Sequence, residues 1–223
     1  MKLYIIPTPI GNFEDITLRA LRILKEVDII FCEDTRTTKN LLKHFEIEHP
    51  KCYAYHINNE HKQVEQYVRW IQNGQRAALV SDAGTPGISD PGYLFIRECL
   101  TVGVEIECLP GATALIPALV ASGFPCDKFY FHGFLPHKKG KETTLKMLSE
   151  RTETVIFYES PHRLLKTLTM MLAHFAPDRK ICISREISKI YEEHFRGTIQ
   201  ETLNYFSTKE VKGEIVVTVA GTI

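Results

Sequence analysis

The chain has 223 residues, of which 44% are hydrophobic and 24% charged, and its 27 basic residues balance its 27 acidic ones. This is the composition of a globular protein that can bury a core in one large or two small domains. Zero net charge argues against a polycationic nucleic-acid binder, and no apolar stretch resembles a signal peptide or a membrane span. The six cysteines form no Cys-x-x-Cys pair, so we expect free thiols and a cytoplasmic location.

In the first half, short apolar runs typical of buried strands alternate with amphipathic stretches typical of helices. Strands are predicted at 3–6, 29–32, 52–55, 77–80 and 104–109. The helices between them are predicted to begin near Asp15 or Thr17, at the threonines of 35–38, before Val64, at Asp90-Pro91 and at Leu115, with Gly74, Gly103 and Gly123 as ends. This alternation predicts a mostly parallel sheet with helices on both faces.

The second half repeats the strand-and-helix character after a turn-rich segment at 124–128. Strands are predicted at 129–133, 154–158, 181–184, 194–197 and 214–219, with a helix over 164–172 and a short helix from Thr198. We therefore expect an α/β fold of two domains, 1–123 and 124–223, with mostly parallel or mixed sheets and a ligand cleft between them. Residues 1–115 carry 12 basic and 15 acidic side chains and residues 116–223 carry 15 and 12, which favours the second half for phosphate contacts.

Loops of polar and small residues follow several predicted strands. They are Pro7–Asn12, Glu33–Arg36, Ser81–Asp90, Pro110–Ala114 and Glu159–Arg163. If the strands of each half are parallel, these loops share one edge of a sheet, where α/β proteins bind ligands. The segment 81–92 holds three glycines and two prolines, and long irregular loops of this kind are usually functional.

Other motifs exclude functions or leave alternatives open. The chain has no Gly-x-Gly-x-x-Gly fingerprint and no phosphate-binding Gly-x4-Gly-Lys loop. The histidine pairs 44/49, 56/61 and 132/137 have a spacing that places partners on different helix faces, so no metal site is expected. Glu33 and Asp34 are either an acid/base pair or acids that favour a helix N-terminus. Arg36 and Arg163 either bind phosphate or form surface salt bridges.

Seven motifs together resemble one enzyme family and cover nearly the whole chain. They are Pro7-Thr-Pro-Ile-Gly-Asn, Cys32-Glu-Asp-Thr-Arg-Thr, the segment 81–92, Pro110-Gly-Ala-Thr-Ala, Phe157-Tyr-Glu-Ser-Pro-His-Arg, Ser184-Arg-Glu-Ile-Ser-Lys and Lys212-Gly-Glu. In this order they resemble the bacterial 16S ribosomal RNA cytidine-2′-O-methyltransferases of the tetrapyrrole methylase superfamily.

The resemblance implies a homodimeric enzyme that methylates 16S ribosomal RNA within the 30S subunit. S-adenosylmethionine is the implied cofactor, folded into the cleft between the two domains. Many relatives carry a further C-terminal segment, which this chain, ending at Ile223, is expected to lack. If that segment helps to hold the ribosomal subunit, its absence would bear on RNA affinity or substrate choice.

The resemblance and the loop chemistry together indicate individual residues for cofactor binding, catalysis and RNA binding. Asp82 suits an ammonium or ribose hydroxyl, and Gly84 and Gly87 allow close backbone approach. The expected cofactor-binding residues are Pro7, Asp82, Gly84, Thr85, Pro86, Ile88, Thr113, Ala114, Tyr158 and Ile215. A general base should help a weakly acidic ribose hydroxyl react, and the candidates are Glu159, Glu33 and His162. The residues expected to hold RNA are Arg36, Lys138, Lys139, Lys141 and Arg163.

Two other functions share these features. A methyltransferase acting on a tetrapyrrole such as a precorrin would keep the fold and the cofactor. The first loop, Thr-Pro-Ile-Gly-Asn, departs from the glycine-rich form usual in those relatives, which disfavours it. A non-catalytic nucleotide-binding module would bind the cofactor without transferring a methyl group.

Overall fold

The computed structural model describes residues 1–48 and 50–222, so His49 of the predicted histidine pairs and Ile223 lie outside the described residues. The chain divides into two compact units, Met1–Thr113 and Ala114–Ile223. The division precedes the predicted boundary at 123/124 because the helix at 115–122 packs on the second sheet, with Leu115 and Leu119 against Ile156 and Val216.

The first unit is a parallel five-stranded sheet covered on both faces. Its strands are β1 (Lys2–Ile5), β2 (Ile29–Cys32), β3 (Lys51–Ala54), β4 (Ala77–Val80) and β5 (Glu105–Cys108), in the order β3-β2-β4-β1-β5. Its helices are α1 (Leu18–Glu26), α2 (Thr35–His44), α3 (Glu60–Gln72) and α4 (Tyr93–Thr101), and a single 3-10 turn spans Phe13–Asp15.

Alternation along each strand builds the two cores of this unit. Ile29 and Phe31 face the α3 and α4 side, whereas Ile30 and Cys32 face the α1 and α2 side. Successive side chains of a strand point to opposite faces, and a parallel strand buried on both faces is apolar throughout. All four residues of β2 are accordingly buried.

The second unit is a mixed five-stranded sheet. It comprises α5 (Leu115–Ser122), β6 (Phe129–Phe134), α6 (Lys141–Ser149), β7 (Thr154–Glu159), α7 (Pro161–Met171), β8 (Lys180–Arg185), β9 (Glu193–Thr198), α8 (Ile199–Ser207) and β10 (Ile215–Val219). The order is β6-β7-β10-β8-β9, in which β6 and β7 are parallel and the other neighbours antiparallel. The predicted fold class, two α/β units with mostly parallel or mixed sheets, is confirmed.

Several helix boundaries depart from the sequence prediction. Helix α4 begins after Gly92, whose φ of 153° is outside the helical range, so Asp90-Pro91 is not its start. Asp34, not a threonine, caps α2, because its carboxylate accepts the Arg36 backbone N–H at 2.8 Å. Helix α6 was not predicted, since KETTLKMLS offers only a weak apolar period. The caps at Thr17, Gly123 and Thr198 are confirmed.

Candidate active site

Four loops of the first unit meet at one edge of its sheet. They follow β1, β2, β4 and β5, and because these strands are parallel, all four loops start at the carboxyl edge. Thr8 and Gly84 exchange two backbone hydrogen bonds of 2.9 Å, which join the first and third loops. Thr85 Oγ1 donates to the Ala112 carbonyl at 3.0 Å and joins the third loop to the fourth.

Two glycines allow this close packing of loops. Gly84 adopts a φ of 82°, which L side chains rarely adopt. A Cβ built on Gly111 would lie 2.6 Å from Cβ of Pro7, so only glycine fits against that ring. Pro7 and Pro86 are themselves buried, whereas Ile88 remains 38% exposed. The predicted cofactor loops of this unit are therefore contiguous, with rigid proline packing beneath them.

Three carboxylates, Glu33, Asp34 and Asp82, form what we call the acidic edge. The backbone N–H of Asp34 donates to Oδ1 of Asp82 at 3.0 Å, which ties the loop after β2 to the loop after β4. The Asp34 carboxylate accepts hydrogen bonds from Nε of Arg36 at 3.0 Å and from the Arg36 backbone N–H at 2.8 Å, and these two bonds lower the pKa of Asp34 to about 2. Arg36 itself stays 88% exposed, so its pairing leaves most of the guanidinium in solvent.

The other two members of the acidic edge behave differently from Asp34. Burial raises the pKa of Glu33, and the nearby charge of Asp82 raises it further. Burial likewise raises the pKa of Asp82, although part of that residue remains open to solvent. Within the described residues neither carboxylate forms a salt bridge with a lysine or arginine. Carboxyl groups whose pKa moves towards neutrality are suited to proton transfer.

His56 is a residue of this edge that sequence reasoning considered only as a metal ligand. It follows β3, whose last residue Ala54 pairs with Cys32, and so it lies next to the loop that carries Glu33. Its Nδ1 is buried without a hydrogen-bond partner, while its backbone N–H is held by Oδ1 of Asn59 at 2.8 Å. The sequence does hold a signal for His56, because β3 is parallel to β2 and therefore ends at the same edge of the sheet.

A second cluster of charges lies in the second unit, at the end of β7. Glu159 is the last residue of that strand, and its side chain is fully buried. Oε2 of Glu159 accepts hydrogen bonds from Lys141 Nζ at 3.0 Å and from the Thr167 hydroxyl at 2.5 Å. Oε1 accepts a hydrogen bond from the Arg163 guanidinium at 2.8 Å. We call these four residues the buried charge cluster.

The buried charge cluster argues against two of the expected roles. Glu159 does not suit the role of general base, because both of its oxygens are already bound by cations and donors away from solvent. Lys141 does not suit the role of RNA contact, because it is the first residue of α6 and only 4% exposed. Arg163 is mostly committed to Glu159, with 18% of its side chain exposed, whereas His162, Lys138 and Lys139 are exposed.

The remaining predicted cofactor residues lie in the second unit or at the point of the chain where it begins. Ile215 is 3% exposed and packs in the hydrophobic core of the second unit, which argues against its expected role as a cofactor-binding side chain. Tyr158 lies edge-on to Phe131 and Phe134, with ring centroids 5.1 and 5.4 Å away. Ala114 packs beside α5, and Thr113 is the last residue of the first unit.

Comparison with known proteins decides the family. The family model described as Tetrapyrrole (Corrin/Porphyrin) Methylases matches residues 2–203. The chain belongs to the tetrapyrrole methylase family. It is 44% identical to ribosomal RNA small subunit methyltransferase I of Thermotoga maritima, over 99% of this chain and 98% of that protein. It is 46% identical to the Bacillus subtilis protein of the same name, over 98% of this chain and 75% of that protein.

Solved structures of other methyltransferases share the fold of this chain at low sequence identity. The methyltransferase CobJ superposes with a TM-score of 0.73 at 18% identity, covering 99% of this chain and 94% of CobJ. The uroporphyrin-III C-methyl transferase of Thermus thermophilus, complexed with S-adenyl homocysteine, gives a TM-score of 0.67 at 19% identity, covering 99% and 97%. The family match over residues 2–203 and the 44–46% identities confirm the predicted family membership.

Two kinds of feature are not found in the part of the chain that the structure describes. In residues 1–48 and 50–222, no three His, Cys, Asp or Glu side chains come together as a metal site would require. Across the same residues, no helix has the length and apolar character needed to span a membrane.

Proposed function

We propose that this methylase transfers a methyl group from S-adenosylmethionine to the 2′-hydroxyl of a cytidine ribose in small-subunit ribosomal RNA. The observation that carries the proposal is the 44–46% identity with proteins named ribosomal RNA small subunit methyltransferase I, over nearly the whole chain. The solved tetrapyrrole enzymes reach only 18–19%. The motifs that resemble the RNA enzymes, including Glu159-Ser-Pro-His-Arg, point the same way.

The carboxyl edge of the first sheet fits this cofactor chemically. S-adenosylmethionine carries an ammonium and an electrophilic sulfonium methyl group, and positive charge favours a site with carboxylates that no lysine or arginine has neutralised. Asp82 and Glu33 meet that description. Tight packing at Gly84 and Gly111 brings backbone polar groups to the same edge. The first-unit residues that we assign to the cofactor are Pro7, Asp82, Gly84, Thr85, Pro86, Ile88 and Thr113.

We assign the proton-accepting role to Glu33. A ribose hydroxyl is a weak acid, so its attack on a methyl group is helped by a base whose pKa lies nearer to the working pH than that of an ordinary carboxylate. The raised pKa of Glu33 supports this role, whereas the buried ion pairs of Glu159 argue against the alternative. His162 is exposed and remains the second candidate.

The proposal also names the ribosomal subunit that is the substrate and the oligomeric state of the enzyme. We expect the enzyme to act on 30S subunits in the cytoplasm and to work as a homodimer, as the resemblance implies. Exposed Lys138 and Lys139 remain candidates for holding the RNA backbone, now without Lys141. Sedimentation equilibrium of the purified protein checks the dimer, and a monomer at all concentrations would contradict it.

The deciding experiment compares acceptors. The enzyme is incubated with tritiated S-adenosylmethionine and 30S subunits from cells that lack the modification, or with uroporphyrinogen III. Label in the RNA, mapped by mass spectrometry to a cytidine ribose, is the expected result. Label only in the tetrapyrrole would replace our proposal with the second function, and cofactor binding without label in either acceptor would favour a non-catalytic module. Asp82→Asn serves as the control with weakened cofactor binding.

A further inference from the structure

Helix α2 leaves the acidic edge with an exposed face that carries only basic and neutral side chains. Its buried residues are Thr38, Leu41 and Leu42. At 100° per residue, the opposite face is formed by Arg36, Lys39, Asn40, Lys43 and His44, all of them exposed. The sequence of α2, TRTTKNLLKH, contains no acidic residue. We call this surface the α2 basic face.

The cations of this face are largely free of partners. Within the described residues, Lys39 and Lys43 form no salt bridge within 4.0 Å, and Arg36 pairs only with its neighbour Asp34. Glu46 and Glu48 line a hollow beside Lys39 and Lys43 without reaching either amino group. A surface lysine without a carboxylate partner is available to a polyanion, and Arg36, Lys39 and Lys43 lie on one side of the helix, about a turn apart.

An aromatic pair lies at the far end of the same face. The ring of Phe13 packs on the imidazole of His44, with centroids 4.3 Å apart, and Phe13 remains 42% exposed. Exposed aromatic rings beside cations are the combination on which unpaired nucleotides bind, because bases stack on the rings while phosphates meet the cations. Neither feature alone indicates nucleic acid as clearly as the two together.

We propose that the α2 basic face, with Phe13 at its end, binds a single-stranded segment of the substrate RNA next to the methylated nucleotide. This inference rests on the proposed function. Asp34 caps the N-terminus of α2, and its backbone N–H donates to Asp82, so the face starts at the acidic edge. Phosphates contact Arg36, Lys39 and Lys43, and one base stacks on Phe13. A site limited to the basic loop at 137–140 would leave this face without a ligand.

Salt dependence of RNA affinity tests the phosphate contacts. Binding to 30S subunits is measured over a series of salt concentrations for the unmodified enzyme, for Lys39→Ala/Lys43→Ala, and for the charge-matched control Lys62→Ala/Lys146→Ala, whose lysines are exposed on α3 and α6. Each lost contact to a single strand lowers the slope of log affinity against log salt by about 0.7. We expect a decrease of about 1.4 for the α2 variant and none for the control. Equal slopes for both variants would overturn the inference.

Stacking is tested separately by Phe13→Leu, which keeps an apolar contact with His44 but offers no ring face. We expect RNA affinity to fall at least about fivefold, with an unchanged salt slope, because stacking is not ionic. Unchanged RNA affinity would show that Phe13 is not part of the RNA-binding surface. Titration with S-adenosylhomocysteine confirms that each variant is folded. If the unmodified enzyme methylates no RNA, the proposed function fails; if it does methylate and the slopes match, only this inference fails.

Discussion

Glu33 and Glu159 occupy similar places relative to a strand and the helix after it, but their chemical environments differ. Each stands where a buried strand ends, β2 for Glu33 and β7 for Glu159, and each precedes a polar loop and a helix. Glu33 lies at an edge with two other carboxylates, and burial and the charge of Asp82 raise its pKa. Glu159 is enclosed by Lys141, Arg163 and the Thr167 hydroxyl. One glutamate is suited to exchange a proton, and the other holds structure together.

The difference comes from the helices that pack near each glutamate. Helix α7 turns Arg163 and Thr167 back onto the strand that carries Glu159, and α6 contributes Lys141 from a different part of the chain. Helix α2 contributes Arg36 instead to Asp34, and leaves Glu33 without such a partner. A buried carboxylate with two cations is costly to disturb, because removing one partner leaves uncompensated charge in a low-dielectric environment.

The largest expected effect comes from Glu159→Gln. The substitution keeps the shape of the side chain but leaves Lys141 and Arg163 with no counter-charge, so we expect the free energy of unfolding to fall by about 3–5 kcal/mol. Urea unfolding followed by circular dichroism measures it. The exposed Glu150→Gln on the same unit is the control and should change little. A loss of stability no greater than that of the control would mean that the cluster does not stabilise the second unit.

The next effect comes from Glu33→Gln, and it should appear in the reaction rate instead of stability. Loss of a positioned general base lowers a rate by roughly 100-fold or more, while the free energy of unfolding should not fall, since an acid with a raised pKa gains little from being charged. Single-turnover methyl transfer at saturating cofactor measures the rate, with exposed Glu65→Gln on α3 as the control. An unchanged rate would move the role to His162.

The contrast between the two glutamates shows which parts of the site can be predicted from the sequence. Strands β2 and β4 were predicted to the residue, because four consecutive apolar residues between turn signals indicate a strand buried on both faces. The parallel arrangement then followed, and with it the meeting of four loops at one edge. The site prediction was therefore strongest where it depended on topology alone.

The expectation that Lys141 contacts RNA could not take account of side-chain partners that lie far away in the sequence. Lys141 looks like part of a basic loop, since Lys138, Lys139 and Lys141 stand within four residues. Its burial is decided by Glu159 and Thr167, which are distant in sequence. His56 was overlooked in the opposite way, because nothing near it in the sequence tells that its Nδ1 is buried beside Glu33.

A smaller effect should follow Asp82→Asn, at the other member of the acidic edge with a raised pKa. A charge-assisted hydrogen bond to an ammonium or ribose hydroxyl contributes about 1.5–3 kcal/mol, so we expect cofactor affinity to fall at least about tenfold. Isothermal titration with S-adenosylhomocysteine measures it, and Asp127→Asn, exposed on the second unit, is the control. Equal affinities in the two variants would take Asp82 out of the cofactor site.

The smallest expected effect is the pH dependence of stability, and its sign tests the comparison from a different side. The pKa of Glu33 is raised above 4.5, its ordinary value, so the native state binds this proton more tightly than the unfolded state does. That contribution is fully present below pH 4.5 and is lost as the pH rises through the higher native pKa. The Glu33→Gln variant has no such proton to lose, so the stability of the unmodified protein relative to this variant should decline as the pH rises from about 4 towards neutrality.

The contribution of Asp34 to stability depends on pH in the opposite direction. Its pKa is lowered to about 2, so this contribution is lost only in stronger acid. Urea unfolding of both proteins at a series of pH values separates the two, and a relative stability that rises with pH would show that Glu33 is held as a charged partner, as Glu159 is.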